Sequence, residues 1–306
     1  MTPVEPTTLQ AILPQPSRAH RIARAVLIRG IILAAAVLIL RLSGCMERLF
    51  YHPTAGPTPA SSHMEEVWFE SRDGTRLFGW WIPAKGRGPG DPPAPTIIHL
   101  HGNAGNIRDH EWFTQDLPPA GFNVFIFDYR GYGQSSAGRL RRAQLLDDAH
   151  GALDAALARE DVDRARIGLY GQSMGGAVGI VLMAERREIR AAVFESPFAS
   201  WRGMAAAVIG GDPPGLLARL LASVLLSDSH SPLEAIGRID RPMLLLHGDA
   251  DDIVPVSHSR ALAEANPGCC HVKIYEGGAH NSLKDTHPEM AEAMVEFLRR
   301  ELPFGR

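Results

Sequence analysis

Three short stretches hold the residue types that acyl-transfer chemistry needs. Gly171-Gln172-Ser173-Met174-Gly175 has the G-x-S-x-G form of a nucleophile elbow. Gly248 to Pro255 carries three carboxylates, Asp249, Asp251 and Asp252. Glu276-Gly277-Gly278-Ala279-His280-Asn281 carries a histidine. A serine hydroxyl attacks a carbonyl only when a base removes its proton and a third group orients that base. Ser173, His280 and one of the aspartates can fill those roles. The glycines answer a steric need, since a sharp turn at Ser173 leaves no room for side chains two residues to either side.

The surrounding elements can deliver these residues to one place. Arg166 to Tyr170 is short and largely apolar, as a buried parallel strand should be. Gly176 to Ala184 reads as a buried helix, so Ser173 stands at a strand-to-helix turn. The start of that helix aims backbone N–H groups at an anion forming near Ser173. Met243 to His247 is a second apolar strand running into the aspartate loop, and His271 to Tyr275 is a third ending just before His280. Each strand end brings one required residue type to the same edge of a parallel sheet. A fourth strand, Thr96 to His101, ends in Gly102-Asn103-Ala104-Gly105-Asn106. His101, beside Gly102, is read as ordering that loop rather than as a base. His99 and His247 are read as structural.

The order Ser, Asp, His and the motifs around it resemble the α/β-hydrolase superfamily. G-x-x-D-x-x-V-P, here Gly248 to Pro255, resembles its acid loop, and the match selects Asp251. His280 matches its G-G-x-H loop after the last strand. H-G-N-A-G-N, from His101 to Asn106, resembles its oxyanion loop. The resemblance implies oxyanion donors at the backbone N–H groups of Asn103 and Met174. Asp128 to Ser135 matches D-Y-R-G-x-G-x-S, which the resemblance makes a brace for the oxyanion loop. Phe50-Tyr51-His52-Pro53 and the hairpin around Asp73-Gly74 are similar to a narrower branch, the membrane-anchored bacterial hydrolases related to serine aminopeptidase-type enzymes.

Composition bounds the rest. The chain has 306 residues, 45% hydrophobic, enough for one sizeable globular domain plus extras. A net charge of −3 gives no basic footprint, so no nucleic acid partner is expected. The three cysteines, Cys45, Cys269 and Cys270, form neither C-x-x-C nor a disulfide framework. There is no H-E-x-x-H and no phosphate loop, so neither metal nor organic cofactor is expected.

Residues 1–24 are read as a disordered basic tail and 25–45 as a signal or anchor segment. The uninterrupted apolar run Gly30–Leu40 has signal-peptide size. It is shorter than the ~20 residues a bilayer span needs, unless it is extended back past Arg29. Leu42-Ser43-Gly44-Cys45 resembles a lipobox, which makes Cys45 a lipidation candidate, although Arg41 departs from that pattern. Both readings place the catalytic domain on the extracytoplasmic side of a bacterial envelope membrane, because the basic residues precede the apolar run. Residues 46–64 are read as a linker and 65–306 as an α/β-hydrolase domain: a mostly parallel sheet flanked by helices. Between about 198 and 239 strand–helix alternation lapses, and the apolar residues there are read as a small helical cap over an acyl-sized pocket.

The expectation is a serine hydrolase of carboxylic ester or thioester bonds acting on a small-molecule or lipid-like acyl substrate. A peptidase or amidase with the same triad, or a catalytically silent hydrolase-fold binding protein, are the other readings.

Overall fold

A computed structural model describes residues 17–43, 45–48, 50–88 and 90–304. The expected tail up to residue 16 lies outside the described residues. The chain divides into two compact units, residues 1–43 and 44–306.

The first unit is helix α1, Arg18–Ser43. Its segment Arg18–Ile39 is long and apolar enough to cross a membrane. By length and composition the helix fits a signal sequence near the N-terminus as well as a membrane span. At 1.5 Å per residue the 26-residue helix is about 39 Å long, longer than a ~30 Å hydrocarbon core.

The second unit opens with α2, Cys45–Arg48, and then an eight-stranded sheet. Strands β1 (Glu65–Glu70) and β2 (Arg76–Ile82) form an antiparallel hairpin. Its turn uses Gly74 at φ +80°, with the Asp73 carboxylate accepting from the Thr75 N–H at 3.1 Å. Next come β3 (Thr96–Leu100), α3 (Ile107–His110) with a 3-10 turn over Glu111–Thr114, and β4 (Asn123–Asp128). Helix α4 (Arg142–Leu157) leads to β5 (Ile167–Gln172), α5 (Met174–Glu185) and β6 (Ile189–Glu195). Then follow α6 (Trp201–Gly210), α7 (Leu216–Leu225), α8 (Pro232–Ile236) and β7 (Met243–Gly248). The chain closes with α9 (Ser257–Ala265), β8 (Cys270–Tyr275), α10 (Leu283–Thr286) and α11 (Glu289–Glu301).

The strand order is β1-β2-β4-β3-β5-β6-β7-β8. β2 meets β4 antiparallel; every pairing from β4 to β8 is parallel. Strands β3, β4, β5 and β7 are buried along their whole length, which is why they read as continuous apolar runs instead of alternating ones. Two cores follow, one on each sheet face. One packs α4, α5 and α8 through residues such as Leu153, Ile180 and Ile236; the other packs α11 through Met290, Met294 and Phe297. All parallel strands point their C-terminal ends to one edge, where such sheets place their ligand sites.

Residues 50–58, read from sequence as linker, are docked against the sheet edge. The Thr54 N–H donates to the Gly105 carbonyl at 3.0 Å and the Gly56 N–H to the Gly133 carbonyl at 2.8 Å. Tyr51 and Thr58 are buried. The Pro and Ser content that suggests a linker suits extended backbone equally well, and here that backbone bridges two loops of the domain.

Candidate active site

Ser173 sits between β5 and α5 with φ +53° and ψ −113°, a conformation rare for any residue with a side chain. The turn is held from below: the Ser173 N–H donates to the Glu195 carbonyl at 2.8 Å. The flanking glycines are obligatory for space. A Cβ on Gly175 would fall 1.9 Å from the Leu100 carbonyl oxygen, and one on Gly171 would fall 2.6 Å from the Gly175 carbonyl oxygen. Met174 begins α5, so its N–H has no intrahelical acceptor.

Of the three aspartates, the fold brings Asp251 to His280. His280 Nδ1 lies 2.7 Å from Asp251 Oδ2, and both side chains are buried. The other carboxylate oxygen accepts from the Val254 N–H at 2.8 Å and the Ile253 N–H at 3.0 Å. Burial alone would raise the Asp251 pKa, but the hydrogen bonds from His247 and His280 outweigh it and hold it well below the usual carboxylate range. An ionised carboxylate only accepts, so the His280 proton sits on Nδ1 and the Nε2 lone pair is left free. Asp249 does something else: it accepts from the Gly277 N–H at 2.6 Å and ties the two loops together. Asp252 is exposed.

His247 takes a larger part than sequence suggests. Its Nε2 lies 2.8 Å from the Val254 carbonyl, which can only accept, so the proton is on Nε2. That same nitrogen is 3.3 Å from Asp251 Oδ2, while Nδ1 accepts from the Ser259 hydroxyl at 2.7 Å. His247 thus orients the aspartate from behind, and its place four residues before Asp251 at the end of β7 was the available signal.

Among the described residues no hydrogen bond joins Ser173 to His280. Such bonds are commonly long without substrate. Ser173, Met174 and Asn103 line one cavity of about 100 Å³, together with Tyr51, Phe198, Trp201 and Met204.

The loop after β3 is fixed through the Asn103 side chain. Its Oδ1 accepts from the Tyr132 hydroxyl at 2.9 Å and the His52 N–H at 3.0 Å, and its amide donates to the Phe50 carbonyl. Sequence reasoning missed Phe50, Tyr51 and His52 here, although the aromatic pair before Pro53 was visible. Asp128 holds the far end of the loop by accepting from the Ile107 N–H at 2.9 Å. Burial pushes its carboxyl up to about 7. His101 donates from Nδ1 to the Gly102 carbonyl at 2.7 Å, and burial first, then His110, keeps its pKa well below the ordinary range. It is a neutral brace for the loop.

Comparison with known proteins agrees with this architecture. The family model described as Serine aminopeptidase, S33 matches residues 91–227 and 221–287. A relative from Escherichia coli (strain K12), named Uncharacterized protein YfhR, is 38% identical over 257 residues, covering 81% of this chain and 86% of the relative. The chain belongs to the serine aminopeptidase family. Within the same similarity range, the alpha/beta hydrolase domain-containing protein WAV2 of Arabidopsis thaliana is 33% identical over 81% of this chain and 84% of its own. Among solved structures, the esterase Pf2001 of Pyrococcus furiosus superposes with a TM-score of 0.66 at 22% identity, over 82% of this chain and 99% of that one. A Pyrococcus horikoshii acylaminoacyl peptidase gives 0.62 at 21% identity, over 79% of this chain and 42% of that one. The structural likenesses establish the α/β-hydrolase fold. With the family they make this serine aminopeptidase relative a hydrolase of the esterase and peptidase type.

Proposed function

We propose that this chain is a serine hydrolase cleaving carboxylic esters or thioesters through an acyl-enzyme. Ser173 Oγ attacks the acyl carbonyl while His280 Nε2 takes its proton. The N–H groups of Asn103 and Met174 hold the oxyanion. The bond to the leaving group breaks, and His280 returns the proton to the departing alkoxide or thiolate. Water, deprotonated by His280, then releases the acid and regenerates Ser173. Asp251 keeps the imidazole oriented throughout. The observation that carries the reading is the His280–Asp251 pair at 2.7 Å, with its tautomer set so that the free nitrogen is the basic one. Changing Ser173→Ala should lower turnover of a p-nitrophenyl acyl ester by about 10³-fold or more and abolish labelling by a fluorophosphonate probe. Full activity in the alanine variant would refute the assignment.

Amide hydrolysis is a second reading. A cavity of about 510 Å³ beside Asp251 is lined by Asp212, Asp249 and Asp252, carboxylates that would favour a cationic amine in the substrate. Parallel turnover of an aminoacyl p-nitroanilide and an acyl ester separates the two.

We also propose that α1 anchors the catalytic domain on the extracytoplasmic face of a bacterial membrane. Cys45 is the candidate for lipidation; the other form of the anchor is an uncleaved α1. Intact mass from the native host decides between them: a lipoprotein starts at Cys45 and carries acyl chains, and loses both in Cys45→Ala.

A further inference from the structure

Helix α7 is built inside out. Its buried residues are Ala218 and Ala222, and Ala222 packs in one cluster with Ala205 and Ala206 of α6. Its large side chains face outward: Leu216 is 75% and Leu217 70% exposed, and Leu220, Leu221 and Val224 are exposed with them. The neighbouring end of α6 adds Val208, 70% exposed, and Ile209. From Gly203 to Leu226, only Asp212 and Arg219 are charged. A soluble surface helix puts its apolar stripe inward and its charges outward. A contiguous leucine face in water marks a surface that something covers.

We propose that the outward face of the α6–α7 hairpin docks into the lipid surface of the membrane that α1 enters, and that the groove beneath it admits acyl chains drawn from that bilayer. The proposal rests on the hydrolase and anchoring readings above. Two observations name lipid as the occupant. First, a groove of about 530 Å³ runs between α6, α7 and the docked segment, lined by Val208, Ile209, Leu225 and Phe50. It shares Phe50, Asn103, Met204 and Ile253 with the cavity that holds Ser173, so the groove adjoins the site of the serine. Second, Phe50 is part of that groove and only six residues separate it from Ser43, the last residue of α1. Seven Cα–Cα steps span at most about 25 Å. The tether therefore keeps the groove within reach of the bilayer surface. A protein partner would be expected to meet at least a rim of charge on this patch; lipid tails require none.

The test uses the full chain in phosphatidylcholine vesicles. A polarity-sensitive fluorophore is attached to Leu220→Cys, to Val224→Cys and, as a control on the exposed side of α11, to Glu292→Cys. The wild-type chain labelled in parallel gives the contribution of the native cysteines. Lipids with quenchers on their acyl chains report contact. The expected result is quenching of about twofold or more at 220 and 224, as for a face sunk roughly 5–10 Å into the headgroup–acyl boundary, with the label at 292 unaffected. Vesicle flotation without quenching at 220 or 224 leaves the anchor standing and overturns the docking. Chemical cross-links between copies through α7, with no quenching, would assign the face to a second copy and also overturn it. Failure to float with vesicles removes both readings. The readout needs no turnover, so a chain that hydrolyses no ester but shows quenching separates this proposal from the catalytic one.

Discussion

Helices α5 and α7 are similar in composition and opposite in fate. Both are short and strongly apolar: α5 is MGGAVGIVLMAE and α7 is LLARLLASVL. Every residue of α5 from Met174 to Met183 is buried, whereas α7 buries only its two alanines. The difference lies in what surrounds each. α5 follows β5 directly and is enclosed by the sheet, α4 and α8, so its small residues give close backbone approach and its large ones fill the core. α7 has α6 on one side and nothing on the other among the described residues. An apolar sequence therefore specifies burial only where the topology supplies a second layer. Where it does not, the same composition becomes an exposed surface.

The comparison breaks most easily through a pair of matched truncations. Ile180→Ala in α5 removes a side chain with no exposure and should cost about 2–5 kcal/mol of unfolding free energy. Leu220→Ala in α7 removes one that is mostly in solvent and should stay within about 0.5 kcal/mol. Denaturant unfolding of both variants in the same detergent measures the gap. Equal costs would mean that the leucine face of α7 is packed against protein in solution.

How far each region was legible follows from the same distinction. Strands β3, β4, β5 and β7 are buried along their whole length, so their apolar runs are plain in the sequence, and so are the loops after β5, β7 and β8 that carry Ser173, Asp251 and His280. The choice among Asp249, Asp251 and Asp252 was not available from chemistry, since all three are carboxylates within four positions. The acid-loop resemblance selects Asp251, and the fold separates it from the other two by the bend that hydrogen-bonds it to the Ile253 and Val254 N–H groups and by its contact with His280. The segment around Tyr51 reads as linker because the hydrogen bonds that tie it to the loops after β3 and β4 go to residues 51 to 79 positions away, a separation with no local signature. The α6–α7 region was recognisable as a departure from strand–helix alternation. Its inverted helix was not recognised, since periodicity identifies an apolar face without saying which way it points.

A smaller effect separates the two regions by charge, because a carboxyl can be hidden beneath α5 and none stands on the face of α7. Glu195 ends β6 under Ser173 and has no exposure. Burial pushes its carboxyl up to about 7, with Asp251 adding to the rise and the Tyr170 hydrogen bond and Lys284 opposing it. Tyr170 meets its Oε2 at 2.5 Å. The unfolded chain releases this proton near the ordinary glutamate value of about 4.3, before the native protein does. Between those two values the native state holds more protons, so stability falls as pH rises through that window and levels off above it. At 1.36 kcal/mol per unit the loss is at most about 4 kcal/mol, and less where water or Lys284 relieves the charge. Glu195→Gln keeps an acceptor for Tyr170 and removes the titration. Asp128 titrates in the same direction in both proteins, and the low pKa of Asp251 likewise contributes to both, so neither alters the difference between them. The glutamine variant should match or trail the wild type near pH 4, gain on it up to about pH 7 and hold that gain at pH 8. Unfolding midpoints measured at four pH values across that range decide the matter. Parallel curves for the two proteins would show that Glu195 is already ionised in the native state at neutral pH.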